Sequence, residues 1–216
     1  MSIRMYYLSL TSNGVSNILT TVRSSKLYYS EIKTFDIANG VGVRTSVFVS
    51  GCERHCKGCF NSETWAFDHG IIFNDLTIKR ILKSMKPQYI AGLSILGGEP
   101  LDPKNRAGVL ELILATKEAY PDKTIWMWTG YTWEEIREEL KTCSTLPNDL
   151  FSIIQHLDVL VDGPFDECSY NMMLRFRGSS NQRIIDIPKT LESGYIALWS
   201  DGPELSNHDS YPKKES

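Results

Sequence analysis

Short apolar runs alternate with amphipathic stretches along the middle of the chain. The runs at 43–49 (VRTSVFV), 89–96 (YIAGLSIL), 124–128 (TIWMW) and 157–161 (LDVLV) consist largely of β-branched, aliphatic and aromatic residues. That composition and length are typical of buried strands. The pattern therefore predicts four strands, and a loop of small or polar residues follows each of them.

Three segments between these runs have the spacing of helices. The segment 75–86 places most of its apolar residues on one helical face and stops at Pro87, and 106–120 repeats the pattern. A third helix is predicted to begin at Thr132, because Glu135 stands three residues later in the spacing of a capping box.

Strands that alternate with helices of this length predict βαβ units, and hence an α/β fold with a mostly parallel sheet. Ligands of such sheets collect at the carboxyl ends of the strands. Four loops follow the predicted strands, so we expect them to converge on one rim: 51–60, 97–100, 129–131 and 162–163.

Composition limits the number of domains and the classes of partner. The 216 residues are enough for one medium domain, which we place at 28–200 between an N-terminal extension (1–27) and a polar C-terminal tail (201–216). A formal charge of −3 gives no reason to expect a nucleic acid as the main partner. No apolar stretch approaches a membrane span of ~18 residues, and the first residues lack a secretory pattern. We therefore expect a cytoplasmic protein without a membrane partner.

The five cysteines point to a metal site or a reactive thiol. An odd number without an export signal argues against a disulfide framework and for thiols that bind metal or react. Cys52, Cys56 and Cys59 form a C-x3-C-x2-C motif, whereas Cys143 and Cys168 stand alone. Three thiolates on a short loop can hold three irons of a [4Fe–4S] cluster, which leaves the fourth iron open to a further ligand.

A structural zinc site is the alternative interpretation of this loop. Such a site needs four ligands at one ion, and only one C-x2-C pair is present, at Cys56 and Cys59. We expect His55 to be a solvated loop residue, and Cys143 and Cys168 to be ordinary thiols. The spacing favours a cluster over zinc without deciding between them.

A family resemblance extends over about residues 30 to 185. The cysteine motif followed by Gly97-Gly98-Glu99-Pro100 resembles the radical S-adenosylmethionine enzymes. Within that superfamily, the chain is similar to the activating proteins of anaerobic ribonucleoside-triphosphate reductase. The matching segments are 36–44, 48–52, 58–61, 64–65, 97–101, 126–131, 158–163 and 177–183.

The resemblance implies a fold and a cofactor. The fold would be an incomplete (βα)6 barrel, because a complete eight-unit barrel normally needs ~250 residues. Cys52, Cys56 and Cys59 would hold a [4Fe–4S] cluster, and S-adenosylmethionine would chelate its open iron through amino and carboxylate groups.

The resemblance also implies contacts with S-adenosylmethionine. Gly97 and Gly98 would let the backbone approach its methionine part, because glycine has no Cβ. Glu99 would accept a hydrogen bond from its ammonium group. Gly58 and Phe60, which flank Cys59, would pack around adenine.

The residues of two of these loops have two interpretations each. Thr129 and Gly130, with Asp162 and Gly163, would line the cofactor or the entering substrate. Helix capping and tight turns explain the same residues equally well. Gly97-Gly98 taken without the cysteine loop would also indicate an ordinary turn.

The resemblance finally implies a reaction. A reductant such as flavodoxin would reduce the cluster, and the cleaved cofactor would remove a hydrogen from one glycine of anaerobic ribonucleoside-triphosphate reductase. We expect residues 177–183, with Arg177 and Arg183, to help form the docking surface. The alternatives are an activase of another glycyl radical enzyme such as pyruvate formate-lyase, a radical enzyme acting on a small molecule, and a zinc-stapled binding module.

Overall fold

A seven-stranded sheet runs through the computed structural model, which describes residues 26–142 and 148–200. The order across the sheet is β3-β1-β2-β4-β5-β6-β7. The four central strands β2, β4, β5 and β6 are parallel, and β1, β3 and β7 add antiparallel edges. The strands are β1 (Tyr28–Asp36), β2 (Val43–Val49), β3 (Ile71–Ile72), β4 (Ile90–Gly97), β5 (Thr124–Trp128), β6 (Val159–Asp162) and β7 (Arg183–Asp186).

Helices connect the parallel strands and cover the sheet. Helix α1 precedes β4, α2 joins β4 to β5, α3 and α4 lie between β5 and β6, and α5 follows β7. Their apolar faces share one core with the strands, in which Ile81, Val109, Ile113 and Ile153 are completely buried. The helices are α1 (Asp75–Met85), α2 (Arg106–Ala119), α3 (Trp133–Thr142), α4 (Asp149–His156) and α5 (Ile187–Ser193).

The predicted elements are confirmed in the central part of the chain. The runs 43–49 and 124–128 coincide with β2 and β5, and the other two predicted strands agree with β4 and β6 to within two residues. The capping box is present: the backbone N–H of Thr132 donates to Glu135 Oε2 at 2.6 Å, and Glu135 N donates to Thr132 Oγ1 at 3.3 Å.

The parallel arrangement is confirmed for the four central strands, while the pairings at both edges are antiparallel. The apolar pattern of the sequence did not predict β1, β3, β7, α4 or α5. The tail 201–216, nearly all of the extension 1–27 and Cys143 lie outside the described residues, whereas Leu27 is buried in the core. In the ranges 26–142 and 148–200, no helix has the length and apolar character that crossing a bilayer requires.

Arg44 ties three central strands together from β2. Its side chain is 1 % exposed, and its guanidinium donates to Ser94 Oγ at 2.7 Å, Leu93 O at 2.8 Å and Thr124 O at 2.8 Å. Burial lowers the pKa of Arg44 to about 10. The rigid fork of five N–H groups satisfies acceptors on β4 and β5 at the same time.

Replacing Arg44 by Lys is expected to destabilise the fold, because one compact ammonium cannot reach the same set of acceptors. Breaking a buried polar network of this kind costs about 3 kcal/mol. Urea unfolding of Arg44→Lys measures the loss, with Arg80→Lys on the exposed face of α1 as the matched control. Equal midpoints for the two variants would contradict the role given to Arg44.

Candidate metal and cofactor site

The carboxyl ends of the parallel strands surround a cavity of ≈190 Å³. The convergence of the four loops on one rim is therefore confirmed. Gly58 is not on the cavity wall. It lies beside Glu167, and an ideal Cβ built on Gly58 would be 3.1 Å from Glu167 Oε1. The predicted site residues on the wall are Cys52, Cys56, Cys59, Phe60, Gly97, Gly98, Glu99, Thr129, Gly130 and Gly163.

The cysteine loop begins where β2 ends, and its backbone is held from behind. Gly51 N donates to Thr64 O at 2.7 Å and Cys52 N donates to Trp65 O at 3.0 Å. Within the loop, positive φ angles at His55 (47°) and Gly58 (72°) reverse the chain direction. His55 is exposed, as expected, and its ring stacks on Trp65 at 4.5 Å between centroids.

The three thiols of the motif line the same cavity at different depths. Cys52 is buried and burial raises the pKa of its thiol, whereas Cys56 and Cys59 are half-buried. In the described part of the chain, no three His, Cys, Asp or Glu side chains lie close enough to hold a single metal ion. A [4Fe–4S] cluster takes one thiolate at each of three irons, so thiols spread around a cavity fit it, whereas zinc requires four donors at one point.

Gly97 and Gly98 bring the end of β4 against the end of β2. A Cβ on Gly97 would lie 2.6 Å from Val49 O, and one on Gly98 would lie 2.7 Å from Gly51 O. The backbone N–H of Gly98 donates to Val49 O at 2.7 Å. The family resemblance implies that these glycines admit the cofactor, but the neighbouring strand end already requires them.

Glu99 is a buried carboxylate at the centre of the site. Oε1 accepts from Leu101 N at 2.9 Å and Thr129 Oγ1 at 2.7 Å, while Oε2 accepts from Gly130 N at 2.7 Å. Burial raises the pKa of Glu99, against the effect of these three donors. An ionised carboxylate can accept about four hydrogen bonds, so these three donors do not use its full capacity.

Contact of Thr129 and Gly130 with the cofactor or the substrate stays a prediction. The two residues line the cavity, and they also hold Glu99 in place through the hydroxyl and the backbone N–H. Gly130 is close-packed as well, with Arg54 Cγ at 3.1 Å from an ideal Cβ.

Arg54 was not identified from the sequence, although it fastens the cysteine loop to the end of β5. Its guanidinium donates to Gly130 O at 2.6 Å and to Glu135 Oε2 at 2.7 Å. The same group lies 4.2 Å from the ring centre of Tyr131. The hydrogen bond from Arg54 lowers the pKa of Glu135, whose carboxylate also caps α3. The one sequence feature that pointed to Arg54 was its position between Cys52 and Cys56.

The loop after β6 is fixed by ion pairs inside the chain. Arg183 donates to Asp162 Oδ1 at 3.0 Å and to Glu134 Oε2 at 2.7 Å, and these bonds raise its pKa. Asp162 also accepts from Trp133 N at 2.7 Å. Arg183 is thus engaged within the fold, and Arg177 donates to Gln182 O at 2.9 Å. Docking by these arginines stays a prediction.

An aromatic cluster stands beside the cysteine loop. The rings of Phe60 and Phe165 lie 5.2 Å apart, and Tyr170 is 5.5 Å from Phe60. Phe60 is 69 % exposed although it also lines the cavity. Phe60 thus joins the cavity wall to the outer surface.

The comparisons with known proteins agree with this geometry. A family model described as a 4Fe-4S single cluster domain matches residues 38–185, which assigns the chain to a class with one iron–sulfur cluster. Three relatives that carry the name anaerobic ribonucleoside-triphosphate reductase-activating protein give the finer assignment. The chain belongs to the family of these activating proteins.

The relatives are matched over almost their whole length. The protein of Pasteurella multocida is 38 % identical over 158 residues, covering 72 % of this chain and 95 % of the relative. The protein of Enterobacteria phage T4 is 35 % identical over 181 residues, covering 84 % and 99 %. The protein of Escherichia coli K12 is 35 % identical over 156 residues, covering 71 % and 95 %.

Gly98→Ala is expected to separate the two strand ends, because the new Cβ would meet Gly51 O at 2.7 Å. Forcing a methyl group into such a contact costs about 2 kcal/mol. Iron incorporation should also fall, since Gly51 directly precedes Cys52. Thermal unfolding and iron analysis measure both effects. Gly178→Ala is the control, because its new Cβ would meet no backbone atom and only the side chains of Phe165 and Gln182. Unchanged iron content in Gly98→Ala would contradict the assignment.

Proposed function

We propose that this chain activates anaerobic ribonucleoside-triphosphate reductase by using a [4Fe–4S] cluster and S-adenosylmethionine. The observation that carries the proposal is the cavity that three thiols of one loop line together with the Gly97–Glu99 turn. A bound, reduced cluster would supply the one electron for cleavage of S-adenosylmethionine into methionine and a 5′-deoxyadenosyl radical, and that radical would take hydrogen from a glycine Cα. Family membership supports the reductase rather than another glycyl radical enzyme as the partner.

The residues of the chain would bind and orient the two groups. Cys52, Cys56 and Cys59 would hold the cluster, and the remaining acceptor capacity of Glu99 suits the cofactor's ammonium, in a charge-assisted hydrogen bond. The ring of Phe60 would cover adenine. Gly58, with its positive φ of 72°, would shape the loop rather than contact the cofactor.

The fold would be the incomplete (βα)6 barrel of the radical S-adenosylmethionine enzymes. The parallel strands with helical connections support this assignment, and so does the placement of the cavity at their carboxyl ends. A sheet that does not close leaves a side through which a polypeptide can enter. Such an opening suits a substrate that is a glycine within another protein.

The electron donor would be a small redox protein of the flavodoxin type. Cys56 and Cys59 are only half-buried, so a cluster held by them would lie near the surface. A donor could then dock without any rearrangement of the core.

The proposed chemistry can be tested without the reductase. Anaerobically reconstituted protein, dithionite and S-adenosylmethionine should yield 5′-deoxyadenosine, measured by liquid chromatography. Replacing Cys52, Cys56 and Cys59 together by Ala should abolish the product. Cys168→Ala, an exposed thiol outside the cavity, should behave as the wild type. A purified protein that holds zinc alone and forms no product would refute the proposal.

Glu99→Gln tests the cofactor contact. The amide keeps the size of the side chain, but it places an N–H group where the carboxylate faced donors. Weakening a charge-assisted hydrogen bond should raise the dissociation constant of S-adenosylmethionine about tenfold. Equilibrium dialysis of the reconstituted variant measures the affinity. Glu111→Gln on the exposed face of α2 provides the control, and equal affinities would exclude Glu99 as a ligand.

A further inference from the structure

Asn105 occupies the N-cap position of α2 but does not cap that helix. Asparagine at this position normally accepts a hydrogen bond from one of the first backbone N–H groups of its helix. Here the residue has φ −94° and ψ −26°, and its side chain makes no capping bond. The side chain is nevertheless 1 % exposed. Its amide group must therefore serve another part of the fold.

The amide donates to both segments that form the candidate site. Nδ2 lies 3.0 Å from Ser50 O and 3.1 Å from Gly51 O, the two carbonyls that precede Cys52. It also lies 2.9 Å from Glu99 O, on the turn that follows β4. One planar NH₂ group with two hydrogens thus connects three carbonyls of two separate loops.

The position of Asn105 is itself fixed. Its backbone N–H donates to Asp102 O at 2.8 Å, and Asp102 N donates to Glu99 O at 3.1 Å, so the chain from Glu99 to Asn105 forms successive turns. The side chain consequently reaches the cysteine loop from a short, hydrogen-bonded segment rather than from a freely moving one. A displacement of either loop would break at least one of its bonds.

We infer that Asn105 is a positioning residue that sets the separation between the cysteine loop and the Gly97–Glu99 turn. The inference rests on the proposed function, because that separation fixes how S-adenosylmethionine lies relative to the cluster. Asn105 is not on the cavity wall and acts only through the backbone of its neighbours. The helix remains without a side-chain cap while the amide holds the two loops.

Two substitutions separate positioning from stability. Asn105→Ser provides a hydroxyl that can cap α2 but is too short to reach the three carbonyls. Asn105→Asp keeps the size of the side chain and lacks the NH₂ group. The matched control is Asn74→Ser, since Asn74 caps α1 in the ordinary way by accepting from Thr77 N at 3.1 Å.

The first readout uses the metal-free chain. Amide hydrogen exchange followed by NMR should show the N–H of Glu99, which donates to Gly51 O at 2.8 Å, exchanging faster in both Asn105 variants. Loss of the bridging hydrogen bonds predicts an acceleration of about tenfold. Amides of α1 should be unaffected in these variants, and the Asn74→Ser chain should protect Glu99 as the wild type does.

The second readout uses the reconstituted protein. Both Asn105 variants should bind iron as the wild type does and should raise the KM for S-adenosylmethionine about tenfold in 5′-deoxyadenosine formation. Wild-type exchange and wild-type KM in both variants would overturn the inference. So would a failure of both to fold while Asn74→Ser folds, because that would make Asn105 a stability residue. If the wild type forms no 5′-deoxyadenosine, the proposed function fails, and hydrogen exchange alone decides the role of Asn105.

Discussion

The end of β4 lies against the end of β2 so closely that no side chain fits between them. Gly98 N donates to Val49 O and Glu99 N donates to Gly51 O, at 2.7 and 2.8 Å. This contact joins the cysteine loop to the turn that carries Glu99. The order of the parallel strands makes it possible, because β2 and β4 are neighbours although a helix separates them along the chain. Every further feature of the site is built around that contact.

Side chains other than the three cysteines hold the arrangement on two sides. Asn105 bridges the two loops, and Arg54 fastens the cysteine loop to Gly130 and Glu135 at the start of α3. Glu99 in turn receives donors from Thr129 and Gly130. The residues expected to bind the cofactor are therefore linked to one another before any ligand is bound, which lowers the cost of ordering them on binding.

The parts predicted from the sequence depend on local patterns. The four parallel strands have apolar runs that a buried strand requires, and Thr132 with Glu135 needs only three residues of spacing to be recognised. The cysteine motif is equally local. The convergence of the loops was predictable because the carboxyl ends of parallel strands meet at one edge of a sheet.

What was not predicted depends on contacts between distant parts of the chain. Strand β1 lies between β2 and the two-residue strand β3, and its residues are mostly exposed or half-exposed, so its apolar pattern is weak. The bonds of Arg183 to Asp162 and Glu134 were not predicted from the sequence. Asn105 stands at a position in the sequence that is typical of a helix cap. Only the packing of the two loops shows that its side chain bridges them instead. Spacing cannot show which partner a polar side chain selects.

The central claim is that this cavity directs radical chemistry at a glycine of the reductase. The most direct measurement is electron paramagnetic resonance of anaerobic ribonucleoside-triphosphate reductase mixed with the reconstituted chain, dithionite and S-adenosylmethionine. We predict a glycyl radical doublet on the reductase, absent without S-adenosylmethionine and absent with the chain that lacks Cys52, Cys56 and Cys59. Formation of 5′-deoxyadenosine without any radical on the reductase would contradict the account.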